Sequence, residues 1–325
     1  MTNKLKICFM GSPKFSLETL DVLYNDKNID VDLVVSGKDK KRNRNKFKPT
    51  VVKEYALDKG VDVITPDSVN TDEFLDELKK RNIDFIVVVA FGQLIGEKLL
   101  KEYENKIINL HPSSLPKYRG PSPIQYTLLN GEKITHASSM LIEKGMDSGD
   151  ILNQKEYEIS ADDDFTSLSE KMSSLGSKAI LESLLNYDKL FEKRKVQYDD
   201  KASLTKKISK KMGQISWGEN KDDIVNKIKA FVEYPKAYFS YEGQNIKILK
   251  ASPVEIENPK KSFIYKANKD DLIIIGCNNG AIKIEKIQFP GKKAMDTRSF
   301  LLGNDFKEGI YLDNVWTWKN ITRSL

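Results

Sequence analysis

FIVVVA, at residues 85–90, is the most apolar stretch of the 325-residue chain and shows no alternation of polar and apolar side chains. Such a strand is typical of the centre of a parallel sheet, because helices cover both of its faces. Further short apolar runs end near Gly11, Ser36 and His111, and helical patterns separate them. Repeated strand–helix–strand units predict an α/β domain with a doubly wound, mostly parallel, Rossmann-like sheet.

The ends of these predicted strands are the first place to look for a ligand. Open α/β sheets bind ligands beyond the carboxyl ends of their strands, which directs attention to segments 11–13, 90–92 and 109–111. The first of them, GSP, lacks the further glycines of a dinucleotide fingerprint and has a proline in the turn. A nicotinamide cofactor is therefore disfavoured.

The C-terminal part of the chain has a different character. After a polar, charged stretch and one short helix near residues 223–231, short apolar runs alternate with turns at 242–243, 278–280 and 290–291. This spacing predicts a small antiparallel β-barrel of the OB type, which often binds nucleic acids. We expect the first domain at residues 1–194, a linker at 195–208 and the β-barrel domain at 209–325.

Charge is distributed unevenly between the two parts. Residues 1–206 carry 32 Lys and Arg against 33 Asp and Glu, whereas residues 207–325 carry 21 against 14, a net charge of +7. A basic module favours a polyanionic partner, because Lys and Arg displace counterions from phosphates. A solvated, lysine-rich surface is the alternative interpretation.

Several classes of protein are disfavoured by composition. No apolar run approaches the ~20 residues that span a bilayer, and the N-terminus does not resemble a signal peptide. Cys8 and Cys277 lie far apart, so reduced thiols and a cytoplasmic location are expected. Two histidines and two distant cysteines supply too few soft ligands for a structural zinc site, and no metal is expected.

Asn109 and His111 form a candidate catalytic pair. They lie two residues apart at the end of a predicted strand, so both side chains face the same pocket. Asp147 lies in the segment GMDSGD, residues 145–150, where two glycines bracket the acid between strand-like runs. This pattern suits a tight loop that aims a carboxylate inward, although on spacing alone a solvated acidic turn is the better interpretation.

Two motifs resemble those of the folate-dependent formyltransferases. NLHPSSLPKYRG at 109–120 is similar to their strand-end motif, and GMDSGD at 145–150 is similar to their acidic loop. Segments 11–15 and 88–92 match two more segments of these enzymes, and 228–231 and 290–295 resemble parts of the tRNA-directed members. Over nearly its whole length the chain resembles the methionyl-tRNA formyltransferase family.

This resemblance implies an activity and a set of residues. It implies transfer of the formyl group of 10-formyltetrahydrofolate to the amino group of initiator methionyl-tRNA, by a monomer that uses Asn109, His111 and Asp147. The folate would lie along one turn and one strand end, at Ser113, Ser114, Leu115, Pro116, Phe91, Gly92 and Leu94. The tRNA would contact basic residues of a loop, of the linker and of the C-terminal domain, namely Lys41, Arg42, Arg44, Lys46, Lys206, Lys207, Lys292 and Lys293.

Three positions depart from the family pattern. Ser114 stands where leucine is common, His136 stands where a small residue is usual, and the basic loop 38–48 lacks its usual glycines. Two main alternatives stay open at this point, and a hydrolase that deformylates the folate is a less favoured third. One is a formyltransferase that acts on a sugar-nucleotide amine or on glycinamide ribonucleotide, and the other is an RNA-binding protein with an inactive enzyme fold. The basic C-terminal module argues against the first, and the intact trio argues against the second.

Overall fold

The computed structural model describes residues 4–42 and 46–312. The chain divides into two compact units, and each has its own hydrophobic core. The first unit comprises the residues up to Pro123 together with Ile134–Ile159 and Leu168–Lys206. The second comprises Ile124–Lys133, Ser160–Ser167 and the residues from Lys207 onward.

The strands of the N-terminal part form one large sheet and one hairpin. In chain order they are β1 (Leu5–Gly11), β2 (Ile29–Val35), β3 (Lys40–Arg42), β4 (Lys46–Lys48), β5 (Asp62–Ile64), β6 (Phe85–Val89), β7 (Ile107–His111), β8 (Ile134–Leu141) and β9 (Ile151–Glu158). The sheet has the order β5-β2-β1-β6-β7-β8-β9, and β3 pairs with β4. The first five strands of this order, from β5 to β7, run parallel to one another. Strand β8 runs antiparallel to both of its neighbours, β7 and β9. The predicted doubly wound, mostly parallel sheet is confirmed.

Helices lie between many of these strands and after the last of them. They are α1 (Lys14–Asn25), α2 (Val51–Lys59), α3 (Asp72–Lys80), α4 (Glu97–Glu102), α5 (Pro123–Leu129), α6 (Phe165–Leu185) and α7 (Tyr187–Glu192). Thr50 and Thr71 precede α2 and α3, and their side chains accept hydrogen bonds from Lys53 N and Phe74 N. These threonine caps satisfy amides that a helix N-terminus leaves unpaired, which explains why both helices begin there.

The apolar stretch at residues 85–89 is the central strand that its composition predicts. All five residues of β6 are buried, and β6 pairs with β1 on one side and with β7 on the other. The Ser16 hydroxyl donates to the Val89 carbonyl at 2.6 Å and ties the start of α1 to the end of β6. The carboxyl ends of β1, β6 and β7 therefore meet at one edge of the sheet.

Helix α6 approaches β7 closely because residue 176 is glycine. A Cβ atom at Gly176 would lie 2.4 and 2.5 Å from the two terminal methyl carbons of Leu110. Leu110 is 3% exposed, so its side chain has little room to move away. The glycine therefore lets the helix cover one face of the strand that carries Asn109 and His111.

We expect Gly176→Val to destabilise the protein by about 1–3 kcal/mol, because extra carbons in a packed core force strain on their neighbours. Urea unfolding followed by circular dichroism measures this loss. Gly303→Val is a matched control, because a Cβ atom there meets no atom within 4 Å. Equal stability of the two variants would contradict the packing argument.

The second unit contains an antiparallel sheet. Its strands are β10 (Ala237–Tyr241), β11 (Gln244–Val254), β12 (Ile264–Asn268), β13 (Leu272–Cys277), β14 (Gly280–Gln288) and β15 (Met295–Asp296), and two further helices are α8 (Lys221–Ala230) and α9 (Thr297–Leu301). The strand order is β10-β11-β14-β13-β12, and β15 pairs with β14. Isoleucines dominate the core of this unit, as in Ile246, Ile248 and Ile284. This antiparallel sheet agrees with the β module that the C-terminal sequence predicts.

Two further expectations concern cysteines and membranes. Cys8 and Cys277 are both free and buried, as expected of reduced core thiols. Desolvation raises the pKa of each thiol, so neither is suited to act as a nucleophile. Within residues 4–42 and 46–312, no helix has both the length and the apolar character that a membrane span needs.

Candidate active site

The end of β7 presents two polar side chains on one face. Leu110 packs against Gly176 of α6, so its neighbours Asn109 and His111 project from the opposite face of the strand. His111 is 4% exposed and Asn109 is half-buried. Among the described residues, no group forms a hydrogen bond with the Asn109 side chain. Its amide N–H groups are therefore available to a substrate.

A backbone carbonyl fixes the orientation of the His111 ring. The ring nitrogen Nε2 lies 2.8 Å from the carbonyl oxygen of Tyr118. Because a carbonyl oxygen only accepts, Nε2 carries the proton in this hydrogen bond. Nδ1 is then the nitrogen that can take up or release a proton.

Asp147 lies beside that second nitrogen. Its Oδ2 atom is 3.6 Å from His111 Nδ1 and accepts a hydrogen bond from the backbone N–H of Gly120 at 2.7 Å. An ionised carboxylate at this distance stabilises a protonated imidazole by charge attraction. Gly120 has a φ of +101°, a conformation that other residues rarely adopt, so a glycine is needed where this N–H points at the carboxylate.

The turn after β7 is held by its own side chains. The Ser113 hydroxyl donates to the Lys117 carbonyl at 2.7 Å, and the Ser138 hydroxyl donates to the Ser113 carbonyl at 2.6 Å. Leu115 is buried against Met140 and Ile151. Two of the predicted folate residues, Ser113 and Leu115, thus shape the turn, whereas Ser114 and Pro116 are half-buried.

The segment after β6 offers a more open surface. Gly92 is exposed with a φ of +90°, and Leu94 is 86% exposed. Phe91 is 6% exposed and belongs to the hydrophobic core of the sheet. Of the predicted folate residues here, Gly92 and Leu94 present accessible groups, and the Phe91 side chain anchors the segment.

Ser114 and His136, two positions expected to depart from the family pattern, contact each other. The Ser114 hydroxyl and His136 Nδ1 lie 2.8 Å apart, and His136 Nε2 lies 3.5 Å from Glu156 Oε2. Desolvation lowers the pKa of His136, Glu156 opposes this effect, and Lys195 adds to it. The folded structure therefore favours the neutral form of this histidine, beside the turn that follows the catalytic strand.

This lowered pKa predicts how stability depends on pH. Below pH ~6.5 the unfolded chain binds a proton at His136 more readily than the folded chain does. Protonation of this residue therefore lowers the free energy of unfolding as pH falls. We expect His136→Asn to reduce the drop in melting temperature between pH ~7 and pH ~5, the range in which histidine titrates. Thermal unfolding of both proteins measures it, and identical pH profiles would contradict the prediction.

Four of the predicted tRNA contacts are accessible lysines. Lys206, Lys207, Lys292 and Lys293 are all exposed. The last two also line a cavity of about 230 Å³ in the second unit. In the basic loop, Lys41, Arg42 and Lys46 lie on the β3–β4 hairpin, and Arg44 lies outside the described residues.

Sequence reasoning missed the residues that support Asp147 and the turn after β7. Arg119 stands within the quoted motif, and that motif is the only sequence signal for it. Gln197 and Ser203 lie in the polar stretch interpreted as a linker, where no local pattern distinguishes them. Gln197 donates a hydrogen bond to the Asp147 carbonyl, and the Ser203 hydroxyl accepts one from the N–H of Tyr118 in the turn after β7.

Comparison with known proteins identifies the family. A formyl transferase model matches residues 5–184, and a model of the formyl transferase C-terminal domain matches residues 207–305. A methionyl-tRNA formyltransferase from Finegoldia magna is 43% identical over 310 residues, which cover 95% of this chain and 100% of that protein. The chain belongs to the methionyl-tRNA formyltransferase family. The resemblance seen in the sequence is confirmed, and the protein is a formyltransferase.

Solved structures of more distant proteins share the fold of this family member. An N-formyltransferase from Helicobacter canadensis, in complex with folinic acid and dTDP-3-aminofucose, has a TM-score of 0.64 at 18% identity and covers 86% of this chain and 99% of its own. HypX from Aquifex aeolicus, in complex with tetrahydrofolic acid, has a TM-score of 0.58 at 18% identity. The match with HypX covers 91% of this chain and 46% of HypX, so this chain spans about half the length of that protein.

Proposed function

We propose that Asn109, His111 and Asp147 carry out the reaction that family membership assigns to this chain. That reaction moves the formyl group of 10-formyltetrahydrofolate to the amino group of initiator methionyl-tRNA. The observation that supports the proposal most directly is the 3.6 Å approach of Asp147 Oδ2 to His111 Nδ1, on the strand that also carries Asn109. Two loops distant in sequence meet there to form one polar site.

Asn109 is suited to stabilise developing negative charge. When the amine adds to the formyl carbon, charge accumulates on the formyl oxygen. A side-chain N–H fixed at a strand end stabilises such an oxygen without reorganising, which is how an oxyanion hole lowers a barrier.

His111 is suited to move a proton at Nδ1. The attacking amine must lose a proton, and the departing folate nitrogen N10 must gain one. With Nε2 held by the Tyr118 carbonyl, Nδ1 can accept the first proton and deliver one to the leaving nitrogen. Asp147 stabilises the positive ring between these two events.

The predicted site and domain assignments complete the proposal. The accessible groups at Ser114, Pro116, Gly92 and Leu94 would contact the folate, with Ser113, Leu115 and Phe91 shaping their backbone. Residues 1–194 would form the catalytic domain, 195–208 the linker and 209–325 the tRNA-binding domain. The last boundary between the two compact units lies between Lys206 and Lys207, inside the proposed linker.

We also propose that the enzyme acts as a cytoplasmic monomer. One chain supplies Asn109, His111 and Asp147, so the site needs no residue from a second copy. Light scattering at assay concentration tests the oligomeric state.

The acceptor is tested directly by comparing substrates. The protein is expected to transfer formyl groups from 10-formyltetrahydrofolate to initiator methionyl-tRNA and to leave sugar-nucleotide amines unmodified. Preferential transfer to a sugar-nucleotide amine would overturn the assignment of tRNA as acceptor.

Salt dependence tests the basic residues of the second unit. We expect KM for methionyl-tRNA to rise steeply with salt, because binding to phosphates releases counterions. Replacing Lys292 and Lys293 by alanine is expected to lower the slope of log KM against log salt by about 1.4–1.8, since each lost phosphate contact removes about 0.7–0.9. Lys79 and Lys80, two exposed lysines of α3, provide a control pair. An unchanged slope would exclude Lys292 and Lys293 from the tRNA interface.

A further inference from the structure

The segment 197–205 runs along the turn after β7 and pairs with it. The N–H of Arg119 donates to the Ser203 carbonyl at 2.9 Å, and the N–H of Thr205 donates to the Arg119 carbonyl at 2.8 Å. The Ser203 hydroxyl accepts a further bond from the N–H of Tyr118 at 2.9 Å, next to the carbonyl that orients His111. A segment that sequence reasoning treats as a linker is thus hydrogen-bonded to the catalytic turn through Ser203 and Thr205.

Gln197 extends this support to the loop that carries Asp147. Its Nε2 atom donates to the Asp147 carbonyl at 3.1 Å and to the Gly149 carbonyl at 2.6 Å. The residue is 8% exposed, so water does not compete freely for these bonds. One buried amide therefore holds two carbonyls of the acidic loop.

Arg119 fixes which way the Gln197 amide points. The Arg119 Nε–H donates to Gln197 Oε1 at 3.0 Å, and Arg119 Nη1 pairs with Asp199 at 2.7 Å. Because Oε1 must face this donor, the NH₂ group must face the two loop carbonyls. Arg119 is 5% exposed and is one residue from Gly120, whose N–H binds the Asp147 carboxylate.

Asp147 needs this support because of its backbone. Its φ is +47°, in the left-handed region that residues other than glycine rarely adopt. Such a conformation persists only where surrounding contacts enforce it. The Gly120 N–H fixes the carboxylate from one side, and the Gln197 amide fixes the main chain from the other.

We propose that Gln197 is a positioning residue for Asp147: its buried amide holds the acidic loop so that the carboxylate stays beside His111 Nδ1. This inference rests on the proposed catalytic role of Asp147. The hydrogen bonds of the Gln197 side chain go to the acidic loop and to Arg119, and none of them goes to His111 or Asn109 among the described residues.

The test uses the isosteric change Gln197→Glu. The new oxygen replaces Nε2 and faces two carbonyls, so the loop loses both donors while the size of the side chain is kept. We expect kcat for formyl transfer to fall about 10²-fold, the scale of a displacement near 1 Å in a catalytic group, with little change in KM for either substrate. Gln197→Met keeps the length and also lacks the donors, so it is expected to behave alike and provides a second variant if Gln197→Glu folds poorly.

A double-mutant cycle separates positioning from general damage. In an Asp147→Asn background, Gln197→Glu is expected to lower kcat much less than in the wild type, because both changes act on the same interaction. Asn186→Asp is the matched control. The Asn186 side-chain amide also donates a hydrogen bond to a backbone carbonyl, that of Glu182, and the residue lies on the exterior of the same unit. It is expected to keep wild-type kcat.

The possible failures are distinguishable. If Asp147→Asn lowers kcat but Gln197→Glu and Gln197→Met do not, or if the effects multiply in full, the positioning role is overturned. If Asp147→Asn itself keeps wild-type kcat, the proposed catalytic function of the trio fails instead.

Discussion

His111→Ala is expected to lower kcat for formyl transfer about 10²–10⁴-fold, the range that a general acid and base contributes. The reason is the single free ring nitrogen: Nε2 is occupied by the Tyr118 carbonyl, so Nδ1 alone connects the reacting nitrogens with Asp147. Single-turnover assays with formyl donor and methionyl-tRNA measure the chemical step without product release. Binding of the donor should change little, because the ring acts on protons and not on the folate.

The second histidine of the chain provides a control. His136 is half-buried and bonded to Ser114, but it has no contact with Asn109 or Asp147 among the described residues. His136→Ala is therefore expected to keep kcat close to the wild-type value. A His111→Ala variant with a near-wild-type rate and an intact circular dichroism spectrum would refute the mechanism.

Asn109→Ala is expected to lower kcat about 10²–10³-fold, as the loss of one oxyanion donor does in other enzymes. The formyl oxygen carries full negative charge only after the amine has added, so the amide stabilises the transition state more than the bound substrate. The loss is therefore expected in kcat, with KM for the formyl donor almost unchanged.

Two comparison variants sharpen this prediction. Asn109→Asp keeps the shape but presents a negative oxygen to the developing charge, so it is expected to be at least as slow as Asn109→Ala. Asn25→Ala removes an exposed amide at the end of α1 and should have no effect. A rise in KM without a fall in kcat for Asn109→Ala would indicate a role in substrate binding only.

Local patterns in the sequence predict the sheet and two of the three proposed catalytic residues. The uninterrupted apolar run of β6 identifies a strand covered on both faces, and the two-residue spacing of Asn109 and His111 places both side chains on one face. Both inferences use the spacing of residues along the chain, which can be interpreted without knowing the tertiary contacts. Asp147 is different, because an acid between two glycines also suits a solvated turn, and only the family resemblance favours catalysis.

The remaining part of the site depends on contacts between distant residues. Gln197 meets Arg119 across 78 positions, and a glutamine in a polar, charged stretch gives no hint of burial. The contact between Ser114 and His136 illustrates the same limit. Neither residue carries a local sign of its partner, and only the structure shows that the two side chains form one hydrogen bond.

The hydrogen bonds between segment 197–205 and the catalytic turn also determine which truncations of the chain preserve the site. A truncation at residue 194, the proposed end of the catalytic domain, would remove Gln197, Ser203 and Thr205 together with their bonds to both loops. Cleavage after Lys206, an exposed position, would leave them in place. A fragment that ends at residue 206, twelve residues beyond the proposed catalytic boundary, therefore keeps all three of these supporting residues.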